Sequence, residues 1–95
     1  METAVKVARR SVTIANRLGL HARAAAKFVT LATRFDSEIS LVRGPRRVNA
    51  KSIMGVMMLA AGKGVIVEIE ASGSDAEAAL NQLEQLVIDR FGEAE

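Results

Sequence analysis

Residues 11–23, Ser11-Val12-Thr13-Ile14-Ala15-Asn16-Arg17-Leu18-Gly19-Leu20-His21-Ala22-Arg23, change their hydrophobic period part-way along. Residues 11–15 alternate polar and apolar, with Val12 and Ile14 on one side, and read as a β-strand. Val5 and Val7 extend the same alternation backwards. Asn16 to Leu20 break it, and Gly19 marks a loop. From residue 22 to 33 the period is helical. Ala25, Phe28, Val29 and Ala32 share one face, and Arg23, Lys27, Thr30 and Arg34 line another. A strand feeding a short amphipathic helix through a Gly-containing loop is the unit from which the rest is read.

Working outward, residues 37–42 alternate again, with Ile39 and Leu41 inward. Gly44-Pro45 marks a turn, and residues 46–49 form a short returning strand. Ser52 is a good N-cap for a short helix over about residues 53–60, ended by Gly62 and Gly64. Ile53, Met54, Met57 and Met58 cannot all face inward on so short a helix. About half are expected in the core and the rest as an exposed, adaptable apolar patch. Residues 65–71 are the strongest strand, with Val65, Val67, Ile69 and Ala71 on one face and Glu68 and Glu70 on the other. Ser74-Asp75-Ala76-Glu77 reads as a capping box. It opens a helix whose Ala76, Ala79, Leu80, Leu83, Val87 and Phe91 make one stripe. The order is βαββαβα, which predicts an α+β fold, a mainly antiparallel sheet with helices on one face.

Composition bounds the function. The 95 residues are 49% hydrophobic, enough for one domain spanning 1–95 with a single core. Cys is absent, so disulfides, thiolate metal sites and thiol nucleophiles are excluded. The first residues lack the apolar run of a signal peptide, and the longest apolar stretch, 53–62, is too short to cross a bilayer. A cytoplasmic protein without membrane insertion is expected. The net charge of +2 hides an asymmetry: residues 1–52 hold eleven Lys/Arg against three acids, and residues 53–95 hold two against eight. A basic face of this kind suits an anionic partner.

His21 is the one histidine, and it sits where the loop becomes a helix. A neutral imidazole nitrogen there can attack phosphorus, and the phosphoimidazole formed is readily cleaved again. Free N–H groups and partial positive charge at the helix start suit a phosphoryl group, and the planar fork of Arg23 can reach its oxygens. Position alone favours the plainer reading, that His21 is a polar residue at a helix start. A metal site is not expected, since one His without Cys leaves only scattered carboxylates.

Two segments taken together decide between these readings. Gly19-Leu20-His21-Ala22-Arg23-Ala24, followed by Val48-Asn49-Ala50-Lys51-Ser52-Ile53-Met54-Gly55-Val56-Met57, closely resembles HPr. That family comprises the histidine-containing phosphocarriers of the bacterial phosphoenolpyruvate-dependent phosphotransferase system. The likeness runs from about Val7 to Phe91. It implies an open-faced β-sandwich, a four-stranded antiparallel sheet covered on one side by three helices. It also implies a carrier rather than an enzyme, without a cofactor and acting as a monomer. His21 would be phosphorylated through Nδ1, with enzyme I as donor and IIA-type proteins as acceptors. Arg23 maps onto the arginine beside the active histidine, and Ser52 onto the serine that HPr kinase/phosphorylase modifies in many members. Ala24, Lys27, Ile53, Met54 and Met57 map onto partner-facing positions.

One position departs from the pattern of sugar-transport members, where Ala24 replaces a proline. Ala restores a backbone N–H in the first helical turn and releases the fixed φ. The Ala form is similar to a proteobacterial subgroup tied to regulation, including its nitrogen-related branch. A rival of another class is a nucleic-acid-binding module, supported by the cluster Arg43, Arg46, Arg47 and Lys51. Against it stand only three aromatic residues, with Phe28 on an apolar helical face, and no stacking pair. A ligand-sensing regulatory domain is a third reading, with nothing in the sequence to mark a pocket.

Overall fold

The computed structural model describes residues 7–95. Four strands, β1 (Ala8–Thr13), β2 (Glu38–Arg43), β3 (Arg46–Asn49) and β4 (Ile66–Ser72), form one sheet in the order β1-β4-β2-β3. Every neighbouring pair is antiparallel. Three helices, α1 (Ala22–Ala32), α2 (Ile53–Met58) and α3 (Ala76–Ile88), complete the α+β arrangement, and a 3-10 turn follows at Arg90–Gly92. The element order βαββαβα is as the periodicity predicted. Val5, expected to lengthen the first strand, lies outside the described residues, and Val7 is exposed and precedes β1.

The sheet's two faces follow from its register. Opposite Val67, Ile69 and Ala71 on β4 stand Val12 and Ala8 on one side, Leu41 and Ile39 on the other. These side chains meet the helices in one core with Ala25, Phe28, Val29, Ala32, Leu80, Leu83 and Val87. The opposite face is polar. There Glu70 is nearly buried, because Arg9 from the neighbouring β1 and Arg47 from β3, reaching across β2, lie over it, Arg9 Nε donating to Glu70 at 3.2 Å. The Arg47 hydrogen bond first, and that of Arg9 with it, hold the Glu70 carboxyl below its usual range against the opposing effect of burial.

Four local expectations are corrected. The capping box at 74–77 does not form. Asp75 takes the N-cap position without capping α3, because its carboxylate accepts from Asp36 N–H (2.8 Å), Ser37 N–H (3.0 Å) and the Ser37 hydroxyl. A long-range clamp on the α1–β2 loop has displaced a local cap. Phe91 does reach the core, but not as part of the helical stripe: α3 ends at Ile88, and Arg90 and Phe91 both adopt φ of 55°. Such left-handed residues cost about 1–2 kcal/mol each, which burying an aromatic ring offsets. Helix α2 stops at Met58 rather than near residue 60. Ala60 turns left-handed (φ 50°), and Arg43 and Arg46 bind the carbonyls of Met58, Leu59 and Ala60 at 2.8–2.9 Å. Finally, Ile53, Met54, Met57 and Met58 are all exposed, none of them in the core; Val56 alone is the helix's buried residue. Six residues give α2 fewer than two turns, so a single side chain per turn can reach inward.

Gly19 positions the loop before α1. Its φ is +66°, and a Cβ there would fall 2.5 Å from the Ala61 carbonyl oxygen and 2.7 Å from Gly62 Cα. The loop therefore lies directly on the backbone of residues 61–62. Leu20, buried, donates its N–H to that same Ala61 oxygen at 2.9 Å. The next residue, His21, is thereby delivered to a fixed place.

Candidate functional site

His21 occupies the N-cap position of α1, with extended backbone (φ −70°, ψ 177°) and its carbonyl accepting the first helical bond from Ala25 N–H at 2.8 Å. Its ring does not cap the helix. It projects instead into an open cleft lined also by Arg17, Leu18, Arg23 and residues 93–95. The first turn of α1 carries no acidic side chain of its own, so its first N–H groups and partial positive charge remain available beside His21. Ala24, unlike proline, keeps its N–H in that turn.

The imidazole is held from one side only. Its Nε2 lies 2.6 Å from Glu93 Oε2, and Glu93 Oε1 accepts from Asn16 Nδ2 at 3.0 Å. The same Asn16 Nδ2 donates to Gly19 O at 2.8 Å, so the amide is fixed by two acceptors. The His21 hydrogen bond, then that of Asn16, holds the Glu93 carboxyl below its ordinary range. Glu93 is therefore a carboxylate at neutral pH, and a neutral imidazole facing it carries its proton on Nε2. The lone pair is then on Nδ1, the nitrogen free to act as nucleophile.

Of the residues expected around this site, Arg23 is exposed, lines the cleft and makes no salt bridge among the described residues. Lys27 is exposed, but its Nζ is 2.6 Å from the Phe91 carbonyl. Ala24 is not on the surface: it is completely buried, its methyl packed in the core, so its side chain cannot meet a partner. Ser52 caps α2, its Oγ accepting from Gly55 N–H at 3.1 Å. Helix α2 packs against α1 and presents Ile53, Met54, Met57 and Met58 outward. Leu18, 59% exposed at the cleft's edge, adds another apolar side chain.

Sequence reasoning missed Asn16, Glu93 and the Arg17–Glu95 ion pair (3.4 Å). Asn16 carried a signal that went unread, since an Asn opening a Gly-containing loop often turns its side chain onto the local backbone. Glu93 carried none. The basic cluster is also resolved: Arg43 and Arg46 cap α2, Arg47 pairs with Glu70, and Lys51 Nζ donates to Phe35 O at 2.7 Å. Each of these cations has a partner within the fold, and a nucleic-acid-binding module is not favoured. Among the described residues no group of three or more His, Cys, Asp or Glu could hold a metal ion, and no helix is long and apolar enough to cross a membrane.

The family model described as the PTS HPr component phosphorylation site matches residues 8–89. The chain belongs to the HPr family. HPr from Cupriavidus necator is 54% identical over 86 residues, covering 90% of this chain and 97% of that protein. A phosphocarrier protein NPr from Shewanella violacea is 47% identical over 85 residues, covering 90% and 93%. The crystal structure of HPr-C-His from Thermoanaerobacter tengcongensis superposes with a TM-score of 0.89 at 42% identity, covering 93% of this chain and 99% of that one. The fold is the HPr fold, and the chain is an HPr-type phosphocarrier of the phosphotransferase system, a carrier between enzymes rather than an enzyme.

Proposed function

We propose that His21 carries the phosphoryl group, taking it at Nδ1 from phosphorylated enzyme I and yielding it to IIA-type proteins. The observation behind this reading is the free Nδ1 at the start of a helix with no acidic side chain in its own first turn, in an open cleft, with Nε2 engaged by Glu93. In the transfer, the Nδ1 lone pair forms the new N–P bond while the donor's bond to phosphorus breaks and its electron pair returns to the donor. Transfer onward reverses these roles. Arg23 offers its guanidinium to the phosphoryl oxygens from the first turn of α1.

Docking follows from the same face. Ile53, Met54 and Met57, exposed beside α1, supply an apolar and deformable contact that several partners can share. Lys27, one turn beyond Arg23 on α1, adds a cation on the side of the helix nearer the C-terminal segment, its Nζ donating to the Phe91 carbonyl. Ser52 is the proposed regulatory site for an HPr kinase/phosphorylase. A phosphate at an N-cap is tolerated by the helix but sets about −2 charge beside the docking surface. The 1–95 chain works as one monomeric domain in the cytoplasm, where phosphoenolpyruvate is made.

The test is incubation with enzyme I and phosphoenolpyruvate, read by intact mass and by stability to acid and base. One acid-labile, base-stable phosphate that vanishes in His21→Ala is expected. Labelling that survives His21→Ala overturns the assignment.

A further inference from the structure

Behind the imidazole stands a relay of side chains that runs from Asn16 through Glu93 to His21 Nε2. Asn16 is completely buried, and its Oδ1 has no hydrogen-bond partner, whereas its Nδ2 donates twice, to Gly19 O and Glu93 Oε1. Leaving a buried acceptor unpaired is unfavourable, and native structures rarely do so without cause. Turning the amide over would not help, since Oδ1 would then face two acceptors. The orphaned oxygen is thus the consequence of aiming an N–H at Glu93.

The segment bearing Glu93 is anchored on both sides. Phe91 is buried in the core, and its carbonyl accepts from Lys27. Glu93 N–H donates to Arg90 O at 2.9 Å. Beyond it, Arg17 N–H donates to Glu95 O at 2.9 Å, and the Arg17 side chain pairs with Glu95. Glu93 is accordingly held in place against His21 and does not meet it by chance.

We infer that Glu93, oriented by Asn16, is a positioning residue that fixes the His21 proton on Nε2 and so presents the Nδ1 lone pair for attack. This rests on the reading of His21 as the phosphoryl acceptor. When Nδ1 bonds to phosphorus, the Nε2–H bond is kept and the ring gains positive charge, which the Glu93 carboxylate 2.6 Å away offsets. When the phosphoryl group leaves, the N–P electron pair returns to Nδ1 and the ring is neutral again. No proton is exchanged with solvent in either direction. The arrangement is the acceptor-side counterpart of a carboxylate that selects a histidine tautomer in acyl transfer.

Glutamine at position 93 separates this role from mere packing. Its amide oxygen can accept from Asn16 only if its NH2 turns to His21, where it donates to Nε2 and drives the proton onto Nδ1. The near-isosteric substitution is therefore expected to do more harm than truncation, the reverse of what a packing role produces. The experiment uses ring 15N NMR of His21 in the wild-type chain, Glu93→Gln and Glu93→Ala, with the rate of phosphorylation by enzyme I and phosphoenolpyruvate at saturating carrier. Wild type is expected as the Nε2–H tautomer. Glu93→Gln should shift to Nδ1–H and slow by at least about tenfold. Glu93→Ala should show mixed tautomers and a smaller loss. Should Glu93→Gln lose its folded spectrum, Glu93→Ala decides alone: mixed tautomers with a slower rate support the role. An unchanged Nε2–H tautomer with rates within about twofold of wild type would overturn it, as would Ala being slower than Gln. Failure of the underlying reading looks different, because the phosphate would then persist in His21→Ala.

Discussion

Replacing Gly19 by alanine tests whether the loop before α1 is what places His21. The left-handed φ of +66° costs a non-glycine residue about 1 kcal/mol or slightly more. A Cβ 2.5 Å from Ala61 O and 2.7 Å from Gly62 Cα is far inside the 3.5–4.0 Å of ordinary contact, and both atoms are backbone. The loop must therefore move away, weakening the Leu20 N–H bond to Ala61 O, worth about 1 kcal/mol. Together with residual strain, the loss should come to about 3 kcal/mol. For a domain of this size that lowers Tm by about 12–24 °C. Urea unfolding should show a lower midpoint with an unchanged slope. Gly44→Ala is the control, because Gly44 has a φ of +55° but open space around its Cβ, and only the conformational cost of about 1 kcal/mol applies. Phosphoryl acceptance from enzyme I should fall in Gly19→Ala and stay normal in Gly44→Ala. Equal stability losses and equal transfer rates in the two variants would refute the idea that close approach at Gly19 sets the histidine's position.

Three further outcomes can be checked. Ser52→Asp should fold normally, since Asp is itself a good N-cap, yet accept phosphate more slowly at low salt, with the defect shrinking as salt rises; Ser52→Ala should lose about 1 kcal/mol by urea titration with near-normal transfer. Arg23→Lys keeps the charge and loses the fork, so transfer rates should fall while Tm barely moves; unchanged rates would leave Arg23 as a solvated surface charge. Acid should destabilise the protein: the carboxyls of Glu70, Asp75 and Glu93 are held low by Arg47, by the Ser37 hydroxyl and by His21 respectively, so below their unfolded values of about 4 the unfolded state binds more protons. Their contribution is complete above about pH 5 and is lost as pH falls through the depressed folded values, which urea midpoints at pH 3–6 would reveal.

The fold was legible where hydrophobic periodicity and burial agree. Val12, Ile39, Leu41, Val67 and Ile69 alternate in the sequence and are buried, and the α1 stripe of Ala25, Phe28, Val29 and Ala32 is buried as its spacing requires. Reading failed where a long-range contact overrode a local rule. Asp75 had the spacing of a capping box but clamps residues 36–37, 39 and 38 positions earlier in the chain. Phe91 kept its place in the core through two left-handed residues that no periodicity announces. The site divides in the same way. His21, Arg23 and Ser52 stand out by residue type and local motif. Glu93 and Asn16 are joined only by folding, 77 positions apart, and a carboxylate on a polar tail has no signature until its partner is seen. Ala24 shows the converse, since a motif can mark a position as partner-facing while the helix turns its side chain inward.

The central claim concerns one nitrogen atom, and NMR of the phosphorylated chain addresses it directly. The protein, labelled with 15N in histidine, is phosphorylated by enzyme I and phosphoenolpyruvate and observed at mildly alkaline pH, where a phosphoimidazole persists. One-bond coupling between phosphorus and His21 Nδ1, with the proton retained on Nε2 facing Glu93, is the predicted result. Coupling to Nε2 instead, or a phosphorus signal with no coupling to His21 at all, would contradict it.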